Sequence, residues 1–330
     1  MTITQRSTAC KAIAVSSAFY IAVGMAMAQD RSDWPDSFSV GTASQGGTYF
    51  VYGTGWTNLI SETLDVPGGT EVTGGPVQNA ALVQTGDLDM GMVTMGPAFD
   101  AINGNSALAP GLQHDQIRAI FPMYKTGFHA VTLESSGITE FGNIPDGAVV
   151  GVGPAGGTPG TYWPRILEGM GKNVEFRNGG AADLAGQLQD GLIDVYTWAG
   201  GLPYPAFSQL DAQTDVTYFG FSPEEQAVVI DTQPVSSFTI PAGTYPSLEE
   251  DQLSVSMWNF AIAHADLPES FVYEVVKAVM TSNPQMIEIH KAAVETLPEN
   301  FDKNTFIPWH PGAVRWFEEN GFEIPDELKG

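Results

Sequence analysis

Gly41-Thr42-Ala43-Ser44-Gln45-Gly46-Gly47-Thr48-Tyr49-Phe50 joins an alternating run, Ser37-Phe38-Ser39-Val40, to Val51–Leu64, where Trp56, Leu59, Ile60 and Leu64 fall on one face. The first run reads as a short strand and the second as an amphipathic helix. A glycine- and hydroxyl-rich turn between them leaves the first helical N–H groups free and lets a ligand approach the backbone, a cradle for a small anion or polar solute. A tight turn with an N-cap uses the same residues. The rest of the chain decides between the two.

Outward from that stretch, strands are expected at 69–73, 90–95 and 148–152, at Val174–Arg177 and at Asp194–Trp198. Helices are expected at 77–88, near 97–102, over Tyr162–Met170 and up to Leu192. Ile117–Leu133 has strand composition with a break at Lys125-Thr126-Gly127. A further strand at 253–263 leads to helices at Glu269–Met280 and Gln285–Thr296 and a last one behind Pro311. Alternating strands and helices imply an α/β fold with parallel sheets flanked by helices.

The pattern repeats itself. Glu71-Val72-Thr73-Gly74-Gly75 leads to Leu82-Val83-Gln84-Thr85-Gly86-Asp87-Leu88-Asp89, and Glu175-Phe176-Arg177-Asn178-Gly179-Gly180 leads to Leu188-Gln189-Asp190-Gly191-Leu192-Ile193-Asp194. Each places a helix ending in Gly before an Asp that opens an apolar strand. Two α/β lobes are expected, residues 29–127 with 243–330 and residues 128–242, joined by crossing segments near Lys125 and Tyr245 that form a hinge. In open α/β sheets ligands sit beyond the carboxyl ends of the strands, so the loops there from both lobes should line one cleft. The candidate ligand residues are Ser44, Gln45, Gly47, Thr48, Tyr49, Thr73, Gly75, Gln78, Asn79, Thr94 and Met95 from the first lobe. Gly157, Thr158, Thr161, Arg177, Trp198, Gly201 and Tyr204 come from the second, with Lys125 on a crossing segment. These loops offer hydroxyls, amides, aromatics and glycines, with no paired carboxylates and no histidine. That is a lining for binding, not for catalysis.

Composition narrows the class further. Arg6 and Lys11, the apolar run Ala12–Val23 and Ala26-Met27-Ala28 read as a signal peptide cleaved after Ala28, which makes the mature chain periplasmic. Cys10, the one cysteine, leaves with that segment, so stability rests on burial and not on disulfides. The formal charge is −25, from 13 basic and 38 acidic residues, which disfavours nucleic acid and anionic membrane surfaces as partners. No cofactor and no metal is expected, and the chain is expected to act as a monomer. His114, His129, His264, His290 and His310 are scattered without metal-ligand spacing.

With these residues in view, the chain resembles the TAXI family of extracytoplasmic solute receptors, the binding subunits of one class of TRAP transporters. The resemblance runs over the whole mature chain. It is carried by Gly41–Phe50, Thr73-Gly74-Gly75-Pro76-Val77-Gln78-Asn79, Gly86-Asp87-Leu88-Asp89-Met90-Gly91, Ile240-Pro241-Ala242-Gly243-Thr244-Tyr245 and His310-Pro311-Gly312-Ala313. It implies a two-lobed, type II periplasmic-binding-protein-like fold that closes on a small organic acid, such as 2-oxoglutarate or a glutamate-like carboxylate. It also implies delivery to a permease driven by an ion gradient, with no enzymatic step. Thr94-Met95-Gly96 stands where relatives often carry Gln-(Ser/Asn)-Asp, so this lining lacks an amide and a carboxylate.

Three rival readings compete with it. Gly151-Val152-Gly153-Pro154-Ala155-Gly156 fits G-x-G-x-x-G after a strand with Glu175 downstream, as in an exported NAD(P)-dependent oxidoreductase, although Pro154 and Pro159 delay the helix. Gly41–Gly46 lacks the glycine spacing of a nucleophile elbow. The aromatics of 196–204 serve either as a ligand lid or as core. Of the cations, only Lys125 and Arg177 fall on segments turned toward the cleft. Arg177 either grips a carboxylate in a bidentate fork or balances Glu175 or Asp183 at the surface.

Overall fold

Ten strands form one sheet in this protein, seen in a computed structural model that describes Thr2 and residues 31–330. The expected signal segment lies, Thr2 aside, outside the described residues. Strand β1 (Phe38–Gly41) leads into helix α1 (Thr48–Leu64), then β2 (Gly68–Glu71), α2 (Pro76–Thr85), β3 (Met90–Thr94) and α3 (Met95–Ile102). The long β4 (Ile117–Leu133) is followed by β5 (Val149–Gly151), α4 (Thr158–Gly169), β6 (Glu175–Arg177), α5 (Ala181–Gln189) and β7 (Val195–Gly200). Next come α6 (Pro205–Asp211), β8 (Val216–Phe219), α7 (Pro223–Thr232) and β9 (Ser236–Ile240). The chain closes with β10 (Gln252–His264), α8 (Glu269–Met280), α9 (Asn283–Ile289) and α10 (Pro311–Glu319).

The strand order is β2-β1-β3-β10-β4-β7-β5-β6, with β8 on β4 and β9 on β10. Pairing is parallel at both flanks, where β1 joins β2 and β3 and β5 joins β6 and β7. It is antiparallel in the middle, where β10 and β4 run side by side. The flanks are the two repeated units of the sequence, each crossing from strand to strand through a helix. The middle is made of the two strands that link them.

Three buried clusters follow from this order. The first joins Trp56, Ile60 and Leu64 of α1 to Phe121, Phe260, Val272 and Trp309. Trp56 meets Phe121 edge-on at 5.6 Å, and the fully buried α1 face follows the spacing that marked it as a helix. The second is an aromatic stack of Phe128, Phe141, Trp163 and Phe221, with Val255 and Met257 from β10. The third holds Tyr196, Tyr204, Phe207, Tyr218, Tyr245 and Leu248.

Two expectations change here. Ile117–Leu133 is one unbroken strand of 17 residues, because β10 supplies partners for Lys125, Thr126 and Gly127 and β7 pairs onward from Gly127. Tyr245 does not mark a crossing. It is fully buried in the third cluster, stacked on Tyr218 at 4.7 Å. The second crossing strand is β10, whose Val255 and Met257 pack in the second cluster and whose Phe260 packs in the first.

Candidate functional site

Helices α1, α2 and α4 each follow a strand of a flanking unit through a glycine-rich loop, and all three start at one cavity. Their N-caps are Gly47, Gly75 and Gly157, and no side chain caps any of them. The first N–H groups of a helix have no partner inside it, and each N-terminus carries roughly half a positive charge. Glycine suits these positions because two of the loops touch across the cavity. The Val77 amide donates to the Gly156 carbonyl at 3.0 Å, and a Cβ at Gly75, whose φ is +115°, would lie 3.1 Å from the Gly157 Cα. A second contact closes the other side. The Ala206 amide donates to the Gly46 carbonyl at 3.0 Å, and the Ala182 amide to that of Gln45 at 3.3 Å.

The cavity has a volume of about 30 Å³, counted as the space that the centre of a water molecule can occupy. Ala43, Ser44, Gly47, Thr48, Tyr49, Gly74, Gly75, Pro76, Thr94 and Thr126 line one side, and Pro154, Gly157, Thr158, Pro159, Trp198, Ala199 and Gly200 the other. No charged side chain is among them.

Behind the floor lies Asn259, fully buried on β10. Its Nδ2 donates to the Tyr124 carbonyl at 2.7 Å, which can only accept, so the orientation of the amide is set. Its Oδ1 accepts from the Tyr49 hydroxyl at 2.7 Å and from that of Thr94 at 2.9 Å, and its Nδ2 also donates to Thr126 Oγ1 at 2.7 Å. Thr94 Oγ1 lies 2.7 Å from Thr158 Oγ1 and so ties β3 to α4 across the cavity. The Thr48 hydroxyl makes a second tie, donating to the Gly201 carbonyl at 2.6 Å. Burial pushes the Tyr49 phenol well above its usual range, so it stays protonated and remains a donor to Asn259.

The structure brings Ser44, Gly47, Thr48, Tyr49, Gly75, Thr94, Gly157, Thr158 and Trp198 of the candidate residues to the cavity. Others stand one layer back. Thr73 Oγ1 lies 2.7 Å from Asn79 Oδ1, Asn79 Nδ2 donates to the Thr42 and Met92 carbonyls, and Gln78 Oε1 accepts from the Gly74 amide. The Thr161 hydroxyl returns to the Gly157 carbonyl, and Gly201 contributes its carbonyl from behind the wall. Gln45 is exposed, and Met95 lines a different surface depression.

Tyr204 is fully buried and donates to the Gly127 carbonyl at 2.6 Å, so with Tyr196 it is core and not a lid. Lys125 pairs with Glu295 at 3.0 Å and sits over the Trp258 ring. Arg177 donates to the Leu192 carbonyl at 2.8 Å, away from the cavity, and pairs with neither Glu175 nor Asp183. Asn259 and Thr126 escaped the sequence reading. The one available signal was an amide at position 259 between Trp258 and the apolar run Phe260–Ala263.

His310 caps α10. Its Nδ1 accepts from the Gly312 amide and its Nε2 hydrogen goes to the Leu267 carbonyl, which makes it structural. Among the described residues no group of His, Cys, Asp or Glu is placed to hold a metal ion, and no helix is long and apolar enough to cross a membrane.

The cavity lies between two α/β units and is walled by helix N-termini, and solved structures share this fold. BugD, a periplasmic binding protein, is 14% identical, with 88% of this chain and 99% of that one covered and a TM-score of 0.58. MatC from Rhodopseudomonas palustris with bound malate is 14% identical, covering 86% and 95% at 0.56. An R. palustris protein solved with adipate is 15% identical, covering 79% and 89% at 0.55. The chain belongs to the NMT1-like family, whose pattern it matches over residues 40–321.

Proposed function

We propose that this protein is an extracytoplasmic solute receptor of the TAXI type. In this reading it binds one small organic anion in the cavity and hands it to a TRAP-type permease driven by an ion gradient. The observation that carries the reading is the convergence of three helix N-termini, those of α1 and α4 with free first-turn amides, on a cavity without a charged side chain. Such a site attracts an anion through backbone amides and offers no acid–base pair for chemistry. Relatives of the same fold solved with malate and adipate support an organic acid. The family motifs from Gly41 to Ala313 support the TAXI assignment and, with the expected signal peptide, a periplasmic location.

The two lobes of this reading meet at β4 and β10, which act as the hinge. Nothing in the site favours an oxidoreductase. The Gly151–Gly156 loop is pressed against Gly74, and Glu175 opens β6 instead of closing it, the wrong end for a ribose. The test is a thermal-shift screen of mono- and dicarboxylates, amino acids, sulfonates and nucleotides. A ligand at a hundredfold excess over its Kd adds about 2.7 kcal/mol of apparent stability, so one class of organic anion should raise the melting temperature clearly. A shift with nucleotides alone would overturn the reading.

A further inference from the structure

The hydroxyl hydrogens of Thr48, Tyr49, Thr94 and Thr158 are already committed, and that narrows what a ligand can offer them. The Asn259 amide orientation makes its Oδ1 an acceptor facing Tyr49 and Thr94, so both spend their single hydrogen on it. With the Thr94 hydrogen on Asn259, the Thr158 hydroxyl must donate across the 2.7 Å contact to Thr94. The Thr48 hydrogen goes to the Gly201 carbonyl. What Tyr49, Thr94 and Thr158 have left for the cavity is therefore lone pairs.

Donors come from elsewhere. They are the first-turn amides of α1 and α4, since Pro76 of α2 has no N–H and the Val77 amide is spent on the Gly156 carbonyl, and the indole N–H of Trp198, which is 5% exposed and donates to no described residue. Two hydroxyls here keep a hydrogen for the cavity: Ser44, whose Oγ accepts from the Ala181 amide, and Thr126, whose Oγ1 accepts from Asn259 Nδ2 at 2.7 Å.

The lining is thus two-sided, with a donor face at the helix N-termini and an acceptor face over Asn259. Resting on the receptor reading above, we infer that the solute is a small hydroxy monocarboxylate. Its carboxylate would meet the helix N-termini, and its hydroxyl would donate to the Tyr49, Thr94 and Thr158 oxygens. The lining has no cation to neutralise a second carboxylate and no anion to pair with an ammonium, and a buried unpaired charge is costly. A cavity of about 30 Å³ suits a two- or three-carbon acid of that kind, roughly, and not a long diacid.

Calorimetry of the full mature chain with glycolate, lactate, propionate, alanine and succinate tests this. Lactate or glycolate should bind, and propionate, which lacks the hydroxyl, should bind about ten- to a hundredfold more weakly, the cost of leaving buried acceptors unpaired. Tyr49→Phe, or Thr158→Val where that variant fails to fold, should narrow the ratio between the hydroxy acid and propionate. Equal binding of propionate, tighter binding of alanine or succinate, or a ratio unmoved in both variants overturns the inference and leaves the receptor reading standing. Failure of every organic anion to bind overturns both.

Discussion

Asn259 is the residue on which the site turns. Its amide binds the hydroxyls of Tyr49, Thr94 and Thr126 and fixes its own orientation through the Tyr124 carbonyl, so it holds β3, β4, β10 and α1 in one register. Replacing it with Leu removes that amide and leaves buried hydroxyls unpaired, each costing about 1–3 kcal/mol. Denaturant unfolding of Asn259→Leu should show a loss of about 3 kcal/mol or more, and a loss below about 1 kcal/mol would mean that the hydroxyls find other partners. Arg177 gives the opposite expectation. Its guanidinium is engaged with the Leu192 carbonyl, so Arg177→Ala should leave ligand affinity within about a factor of two by calorimetry. A tenfold loss would return Arg177 to the site. The strand position of Arg177 was legible in the sequence, but the direction of its side chain was not. A residue at the carboxyl end of an edge strand can turn to either side, and the neighbouring Leu192 carbonyl decided it.

At the scale of elements, the repeated strand–loop–helix units were legible because turn chemistry and periodicity agree in them. The glycine loops before α1 and α4 occur where a close approach of backbone to backbone needs them. Helix α4 begins at Thr158, earlier than the expected Tyr162, since Pro159 suits the first turn and does not delay it. The central antiparallel strands were less legible. Strand β10 alternates polar and apolar residues over 252–257 and loses the alternation from Trp258 onward, where it crosses from one cluster to another. Gly75 tests the loop contact directly. Gly75→Ala places a side chain at a φ of +115° and 3.1 Å from the Gly157 Cα, which hinders closure of the two units. Ligand affinity should fall about tenfold or more while the α1 and α4 amides remain in place. Unchanged affinity would show that this contact is not needed to hold the ligand.

For the whole molecule, acid sensitivity follows from two buried histidines. Burial lowers His129, which packs against Tyr218 at 5.1 Å and Tyr245 at 6.0 Å, to about 3, and lowers His310, also by burial, to about 4. Above the ordinary value of about 6.5 both are neutral folded and unfolded and carry no penalty. As pH falls below that value the unfolded chain takes up protons that the folded chain refuses, so stability declines toward pH 3–4. Each histidine contributes a slope of about 1.4 kcal/mol per pH unit. Chemical unfolding between pH 7.5 and 5 should show this slope reduced by one proton in His129→Phe, and a variant with the parent's slope would contradict it.

The receptor reading also requires the two units to part and close about β4 and β10. That motion, and the trapping of an organic anion beneath it, is measured most directly by small-angle scattering of the refolded, ligand-free chain before and after titration with the acid that shifts its melting temperature. The account predicts a radius of gyration that falls on binding, saturating with one ligand per chain. A radius unchanged at saturation, or a chain that no organic anion alters, would contradict it.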